Sequence, residues 1–310
     1  MNIILAKPRG FCAGVTRAIE TVEKALAKFG APVYVRHEIV HNKFVVESLR
    51  KKGAIFVNEV DEIPQGAITI FSAHGVSNRV EEDAILRGLD VIDATCPLVS
   101  KVHREAKKYE EEDYEIILIG HRGHPEVEGT SGRVKKEVIL VTSEDDARNV
   151  IIKNPDKISY VTQTTLSVDD TRKIVEILEQ RFPKMQQGLA TKDICYATQN
   201  RQDAVRFLAK IVDILLVIGA KNSSNSNRLR DLGEESGLPS YLINGAQDVN
   251  IKWLENVKNI GLTAGASAPE ILVQEVIEKI GEIAGNEIQV SDMNGISENV
   301  FFALPRRVRK

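Results

Sequence analysis

Three cysteines, Cys12, Cys96 and Cys195, each stand where a short apolar stretch meets an amphipathic one, in IILAKPRGFCAGVTRAIETVEKAL, VIDATCPLVSKVHREAKKYEE and DICYATQNRQDAVRFLAKIV. A thiol at a helix amino terminus meets free backbone N–H groups and the positive end of the helix dipole, which favour the thiolate. Soft thiolates select an iron-sulfur cluster, zinc or copper(I) over hard cations. An all-cysteine zinc site needs a fourth cysteine, which the chain lacks. On a [4Fe-4S] cluster three thiolates leave one iron without a protein ligand and open to substrate; its loss in air to a [3Fe-4S] form is expected. Two rival readings use the same residues. One is a zinc-dependent hydrolase with three cysteines and a histidine, Glu126 acting as base for a metal-bound water. The other is a non-catalytic iron-sulfur sensor or phosphate-binding module.

A second set of residues suits an anion. His41, His74, His124, Ser223, Ser224, Asn225 and Ser267 offer neutral or switchable donors, each follows an apolar run, and several precede helical patterns whose amino termini favour phosphate. The small-residue turn GASAPE permits close backbone approach to the same anion. A phosphorylated substrate fits this set. Ser/Asn runs such as NSSNSN are more often solvated loops or helix caps, and position in a repeat lifts this one above them. His37, His103 and His121 are assigned structural places, His103 on a helix face, and Glu128 an exposed one. Neither GxxxxGK[ST] nor GxGxxG occurs, so no nucleotide site is expected and electrons must come from a separate protein.

Repetition explains how such distant residues can meet. The cysteines are 84 and 99 residues apart, and a polar loop begins at His41, His124 and Ser223, offset by 29, 28 and 28 residues from the preceding cysteine. A second polar loop, at His74, Thr164 and Ser267, is less regular, at offsets of 62, 68 and 72. Each repeat alternates strand and helix patterns, with helices expected over 16–28, 98–110, 168–181, 200–210 and 269–283. Such alternation implies parallel sheets with ligands gathered at the carboxyl ends of the strands. The segments VIDAT and DICYA are read as closing strands of the first two repeats. The third has no successor, and NIILA is expected to fill that place. The predicted fold is therefore α/β: three pseudo-threefold related α/β units with parallel sheets around a central cluster cavity. Their bounds are 13–96, 97–194 and 195–283, the last completed by strand 1–12, followed by a C-terminal tail, 284–310.

Composition excludes other classes. Hydrophobic residues are 43% of the chain, enough for a sizeable core, and net charge is −3, so no nucleic-acid partner is expected despite the terminal PRRVRK. The longest apolar runs, YEIILIG and DILLVIG, are of strand length, and the amino terminus lacks the apolar stretch of a secretory signal. No membrane association and a cytoplasmic location are expected. An odd number of cysteines in a reducing compartment argues against a disulfide scaffold.

The segments RGFCAGVTRAI, HEIVHNKFVV, FSAHGVS, DATCPLVSKVH, IGHRGHPEVEGT, VTQTTLSVDDT, ICYATQNRQ, KNSSNSNRL and TAGASAPEILV resemble, in matching order from residue 9 to about 273, the 4-hydroxy-3-methylbut-2-enyl diphosphate reductase family. These are LytB-type iron-sulfur oxidoreductases of the non-mevalonate pathway of isoprene biosynthesis. The resemblance implies one [4Fe-4S] cluster on Cys12, Cys96 and Cys195, and reductive dehydroxylation of an allylic diphosphate to isopentenyl and dimethylallyl diphosphate. It implies diphosphate binding by His41, His74, His124, Ser223, Ser224, Asn225 and Ser267, with Glu126 as proton donor. Thr164 would hydrogen-bond the substrate hydroxyl, and Thr198 lies in a matching active-site segment. The external electron carrier it implies is of flavodoxin or ferredoxin type. The loop KMQQGLATKD and the carboxyl tail are where variation is expected.

Overall fold

A computed structural model describes residues 1–186, 193–285 and 287–309; most of the KMQQGLATKD loop thus lies outside the described residues. In chain order the elements are β1 (Asn2–Leu5), α1 (Ala13–Phe29), β2 (Val33–Arg36), α2 (Lys43–Lys51), β3 (Ala54–Val57), β4 (Ile68–Phe71), α3 (Asn78–Leu86) and β5 (Asp90–Asp93). There follow α4 (Pro97–Glu111), β6 (Glu115–Ile119), α5 (Pro125–Ser131), β7 (Ile139–Val141), α6 (Glu144–Asn149), β8 (Ile158–Thr162) and α7 (Val168–Arg181). The last are α8 (Tyr196–Leu208), β9 (Ile214–Ile218), α9 (Ser224–Glu235), β10 (Ser240–Ile243), β11 (Asn259–Ala264), α10 (Glu270–Ile283) and β12 (Gln289–Asp292).

The fold is α/β with three parallel sheets, ordered β3-β2-β4-β5, β7-β6-β8 and β10-β9-β11-β1-β12. Strands β6, β8 and β9 are short runs rich in β-branched residues, and β8 and β9 are buried along their whole length, as in sheets covered on both faces. Alternation in β9 divides its side chains between two cores: Ile214, Leu216 and Ile218 pack in one with Leu262 and Val273, Leu215 and Val217 in the other with Val205 and Leu229. A third core joins β6 and β8 to Ile174, Ile177 and Leu178 of α7.

Local chemistry sets the helix starts. Pro97 and Pro125 occupy first-turn positions of α4 and α5, where a missing N–H costs nothing, and Ser77, Ser143, Ser167 and Ser223 cap α3, α6, α7 and α9.

Three local readings are corrected. Residues 193–195 of DICYA form no strand, and α8 begins at Tyr196. The 284–310 segment contributes β12, paired to β1. The polar loops around His124 and Ser223 are largely helical, so Glu126 and Asn225 stand in first turns of helices rather than in loops. Short helices opened by Pro or Ser carry too few apolar positions to show a helical period.

The chain divides into two compact units. One comprises Met1–Thr16, His41–Val45 and Tyr196–Phe301, with the five-stranded sheet. The other comprises Arg17–Val40, Val46–Cys195 and Phe302–Lys310, with the other two. No helix among the described residues is long and apolar enough to cross a membrane.

Candidate active site

In the unit holding the five-stranded sheet, Cys12 follows β1 at the mouth of α1. Its N–H donates to the Ala266 carbonyl at 3.2 Å and its carbonyl accepts the Thr16 N–H at 2.9 Å, which leaves the half-exposed thiol at the helix start. The turn before it is held by Arg201 of α8, a wholly buried guanidinium that donates to the Gly10 carbonyl at 2.7 Å and pairs with Glu298 at 3.1 Å. Gly10 needs to be glycine because its φ is +68°.

The same unit gathers polar groups at the carboxyl ends of β9 and β11. Ser223 Oγ caps α9 by accepting the Ser226 N–H at 3.3 Å. Ser226 is wedged between two strand ends: a Cβ added at Gly219 or Gly265 would fall 2.2 or 2.1 Å from its Oγ. This packing brings Asn225 to within van der Waals reach of Gly265, and both polar atoms of its 4%-exposed amide lack a hydrogen-bond partner. A buried unsatisfied amide costs about 1–3 kcal/mol, so this group is poised to take up a hydrogen-bonding partner, whether a water or a ligand. Ser267 Oγ donates to the His41 carbonyl at 3.0 Å, and His41 Nδ1 lies 3.4 Å from Asn222 Nδ2. Ser224 is the half-exposed first residue of α9, while Thr198 is buried in α8.

The other unit holds Cys96, Cys195, His74, His124, Glu126 and Thr164. Cys96 caps α4 with its carbonyl on the Ser100 N–H at 2.9 Å, and its own N–H donates to Ala73 at 2.9 Å. Cys195 donates its N–H to the Thr164 carbonyl at 3.0 Å. The three cysteines therefore share one backbone bond: each N–H is held by the second polar loop of a repeat, one residue before Ser267, one before His74, and at Thr164 itself. All three thiols are half-exposed.

His124 caps α5, its Nδ1 accepting the Glu126 N–H at 3.1 Å, which leaves Nε2 as the donor edge. The His74 ring stands perpendicular to it with centroids 5.8 Å apart. Close packing fixes both: a Cβ at Gly129 of α5 would lie 3.3 Å from the Gly75 backbone, and one at Gly75 would strike the His103 ring. His103 is buried in α4, and burial pushes it down to about 3, so it stays neutral and structural. His121 is exposed, and Glu128 is exposed as expected.

Glu126 is 2% exposed, with its carboxyl on the Thr164 backbone N–H at 2.6 Å and 3.0 Å from Thr164 Oγ1. Burial pushes its pKa up to about 7, against the lowering effect of the two Thr164 bonds, with the Asp193 charge adding to the rise. Two residues that motif reasoning passed over support this corner. Gln163 ties the His121 N–H to Thr165 Oγ1, at 3.0 and 2.9 Å. Buried Asp193 accepts the Thr162 N–H at 3.2 Å and pairs with Lys101 at 3.1 Å, its carboxyl raised first by burial and then by neighbouring Glu105. Asp193 lay inside the segment misread as a strand, and a lone Gln in TQTT carries no sequence signature.

Among the described residues no three His, Cys, Asp or Glu side chains form a group able to hold a single metal ion. The donors suit a polynuclear cluster chemically: three half-exposed thiols, each adjoining a helix start.

The LytB protein family matches residues 3–281. A 4-hydroxy-3-methylbut-2-enyl diphosphate reductase of Burkholderia pseudomallei (strain 1026b) is 58% identical over 308 residues, covering 99% of this chain and 97% of its own. One of Azoarcus sp. (strain BH72) is 56% identical over 309 residues, covering 100% and 98%. The solved E-1-hydroxy-2-methyl-but-2-enyl-4-diphosphate reductase of Plasmodium falciparum superposes with a TM-score of 0.93 at 40% identity, over 99% of this chain and 96% of its own. A second solved structure, of the (E)-4-hydroxy-3-methyl-but-2-enyl diphosphate reductase that ends the non-mevalonate pathway, gives 0.65 at 34% identity, over 91% and 99%.

Proposed function

The chain belongs to the LytB protein family, and from that premise we propose that it is a reductase of 4-hydroxy-3-methylbut-2-enyl diphosphate in isoprenoid biosynthesis. The reaction breaks the allylic C–O bond, consumes two electrons and two protons, and releases water with isopentenyl or dimethylallyl diphosphate. The zinc-hydrolase and sensor readings lose ground because the full-length relatives carry a reductase name.

Cys12, Cys96 and Cys195 are the residues that would hold the cluster. A bound [4Fe-4S] cluster would supply electrons one at a time and a Lewis-acidic iron. His41, His74, His124, Ser223, Ser224, Asn225 and Ser267 bind the diphosphate, with the orphaned Asn225 amide gaining its missing partners there. Thr198 borders the substrate.

The observation that carries the proposal is the Glu126–Thr164 pair. A carboxyl near pKa 7 is still partly protonated at neutral pH, and when protonated its O–H donates to Thr164 Oγ1 while its other oxygen keeps the Thr164 N–H. Thr164 is then free to donate its own hydroxyl proton to the substrate oxygen, which departs as water. The second proton goes to an allyl carbon, and its position decides between the two products. Burial of Glu126 and Thr164 keeps bulk water away from the proton that they pass on.

The test is an anaerobic preparation assayed for iron, acid-labile sulfide and turnover of the allylic diphosphate. Four irons and four sulfides, with product formed under a chemical reductant, are expected for a [4Fe-4S] enzyme. A colourless protein with zinc and no sulfide overturns the proposal.

A further inference from the structure

The terminal segment that composition singled out as basic is ordered against α1 in the same unit as Cys96. Val308 is buried and anchors it, Lys28 Nζ donates to the Arg307 carbonyl at 2.8 Å, and Arg307 pairs with Asp90. Arg17 spans the remaining gap: its Nε donates to the Ala303 carbonyl at 2.9 Å and its Nη1 to the Thr95 carbonyl at 3.0 Å, one residue before Cys96. Arg309 stands near enough for its charge to repel that of Arg17. Exposed Lys28 and Arg307 meet over the Phe29 ring, with Arg309 beside Arg17, exposed Lys24 one helical turn before Lys28 and exposed Arg306 next to Arg307, in a chain whose net charge is −3. Few acids offset them. Asp90 is taken by Arg307, Glu23 by Lys52, and Asp93 accepts from Thr95, leaving half-buried Glu20.

Like charges held together raise the local potential and favour an oppositely charged partner, and an already ordered surface binds without paying a large ordering entropy. We propose that this basic surface, with Arg17 linking it to the backbone at Cys96, is the docking site for a small acidic one-electron carrier protein. The proposal rests on the reductase reading, which requires two electrons delivered singly, in a chain whose sequence carries neither nucleotide-loop motif.

Lys24→Glu/Arg306→Glu, a double change at two exposed positions outside the catalytic and binding residues, tests it. Holoenzyme is titrated with a small acidic ferredoxin by calorimetry at several salt concentrations, and turnover is measured with the reduced ferredoxin and with dithionite. The expected result is binding weakened about tenfold with a shallower salt dependence, a comparable rise in KM for ferredoxin, and unchanged dithionite-driven turnover. Lys24→Arg/Arg306→Lys is expected to match the parent. Ferredoxin affinity within twofold of the parent overturns the docking surface and leaves the reductase reading standing. The docking surface also falls if the parent binds a DNA duplex through these residues and not ferredoxin. Absence of dithionite-driven turnover in the cluster-loaded parent overturns the reductase reading, and the docking site with it.

Discussion

The Thr164 backbone N–H donates to one Glu126 oxygen at 2.6 Å while Thr164 Oγ1 lies 3.0 Å from the other, so a single residue holds the buried carboxyl at both ends. The first bond persists in either protonation state. The second reverses direction when Glu126 gains a proton, which is the property a relay requires.

Glu126→Gln keeps the size of the side chain and removes the acid. Turnover is expected to fall by about 10²–10⁴-fold, the usual contribution of a positioned proton donor, with cluster content unchanged. Anaerobic steady-state assays alongside an iron count check this, and activity within threefold of the parent removes Glu126 from the mechanism.

The pKa of Glu126 rises on folding from 4.5 to about 7. The folded state therefore binds the proton more tightly: its stabilising contribution is complete below about 4.5 and is lost as pH rises toward and through about 7. The loss is of order 3 kcal/mol at most. Denaturant melts at a series of pH values are expected to show a decline in that window that Glu126→Gln lacks, and identical slopes in the two proteins sink the prediction. Turnover in the parent should also fall above pH 7, as the donor loses its proton.

Asn225→Leu exchanges an unsatisfied buried amide for an apolar side chain of similar size. Stability is expected to stay level or rise by about 1 kcal/mol, because no protein partner is lost. Substrate KM is expected to rise by about tenfold or more, since a buried hydrogen bond to a charged group contributes roughly 1.5–3 kcal/mol. A variant that melts much earlier with unchanged KM shows the amide to be structural.

Gly265→Ala places a methyl against Ser226 Oγ and is expected to destabilise by about 1–3 kcal/mol through overpacking. Ser226→Ala in the same chain relieves the closest contact. A double-mutant cycle read by thermal melts should give a favourable coupling of about 1 kcal/mol, and strict additivity shows that the clash does not set the cost.

Cys96→Ala removes one of three proposed ligands. Cluster absorbance and sulfide content are expected to fall by more than half, with far-UV circular dichroism preserved because the Cys96 bonds that start α4 are backbone bonds. Retention of three-quarters or more of the cluster, set as an order-of-magnitude threshold for ligand loss, excludes Cys96 from the ligand set.

Much of this was legible in the chain. Apolar runs and helical periods marked the α/β alternation, and the nearly equal first offsets identified His41, His124 and Ser223 as comparable positions. Less was legible at α5 and α9, where few apolar residues mark the helix and the start is set by Pro125 and by Ser223 as cap. The packing around Glu126 was not legible, because α5 reaches the backbone at Gly75 through Gly129, a contact between residues far apart in sequence.

By itself the sequence determined which groups are available: three thiols at helix starts, neutral donors after strands, and no nucleotide loop. Side-chain type and hydrophobic period are local properties, so they survive in one dimension. The second polar loop, irregular at offsets of 62, 68 and 72 residues, was resolved only by tertiary structure. There the N–H groups of Cys12, Cys96 and Cys195 bond the carbonyls of Ala266, Ala73 and Thr164, making the three loops equivalent despite their spacing. Hydrogen bonding and burial depend on distance in space, and insertions that alter sequence separation leave it untouched.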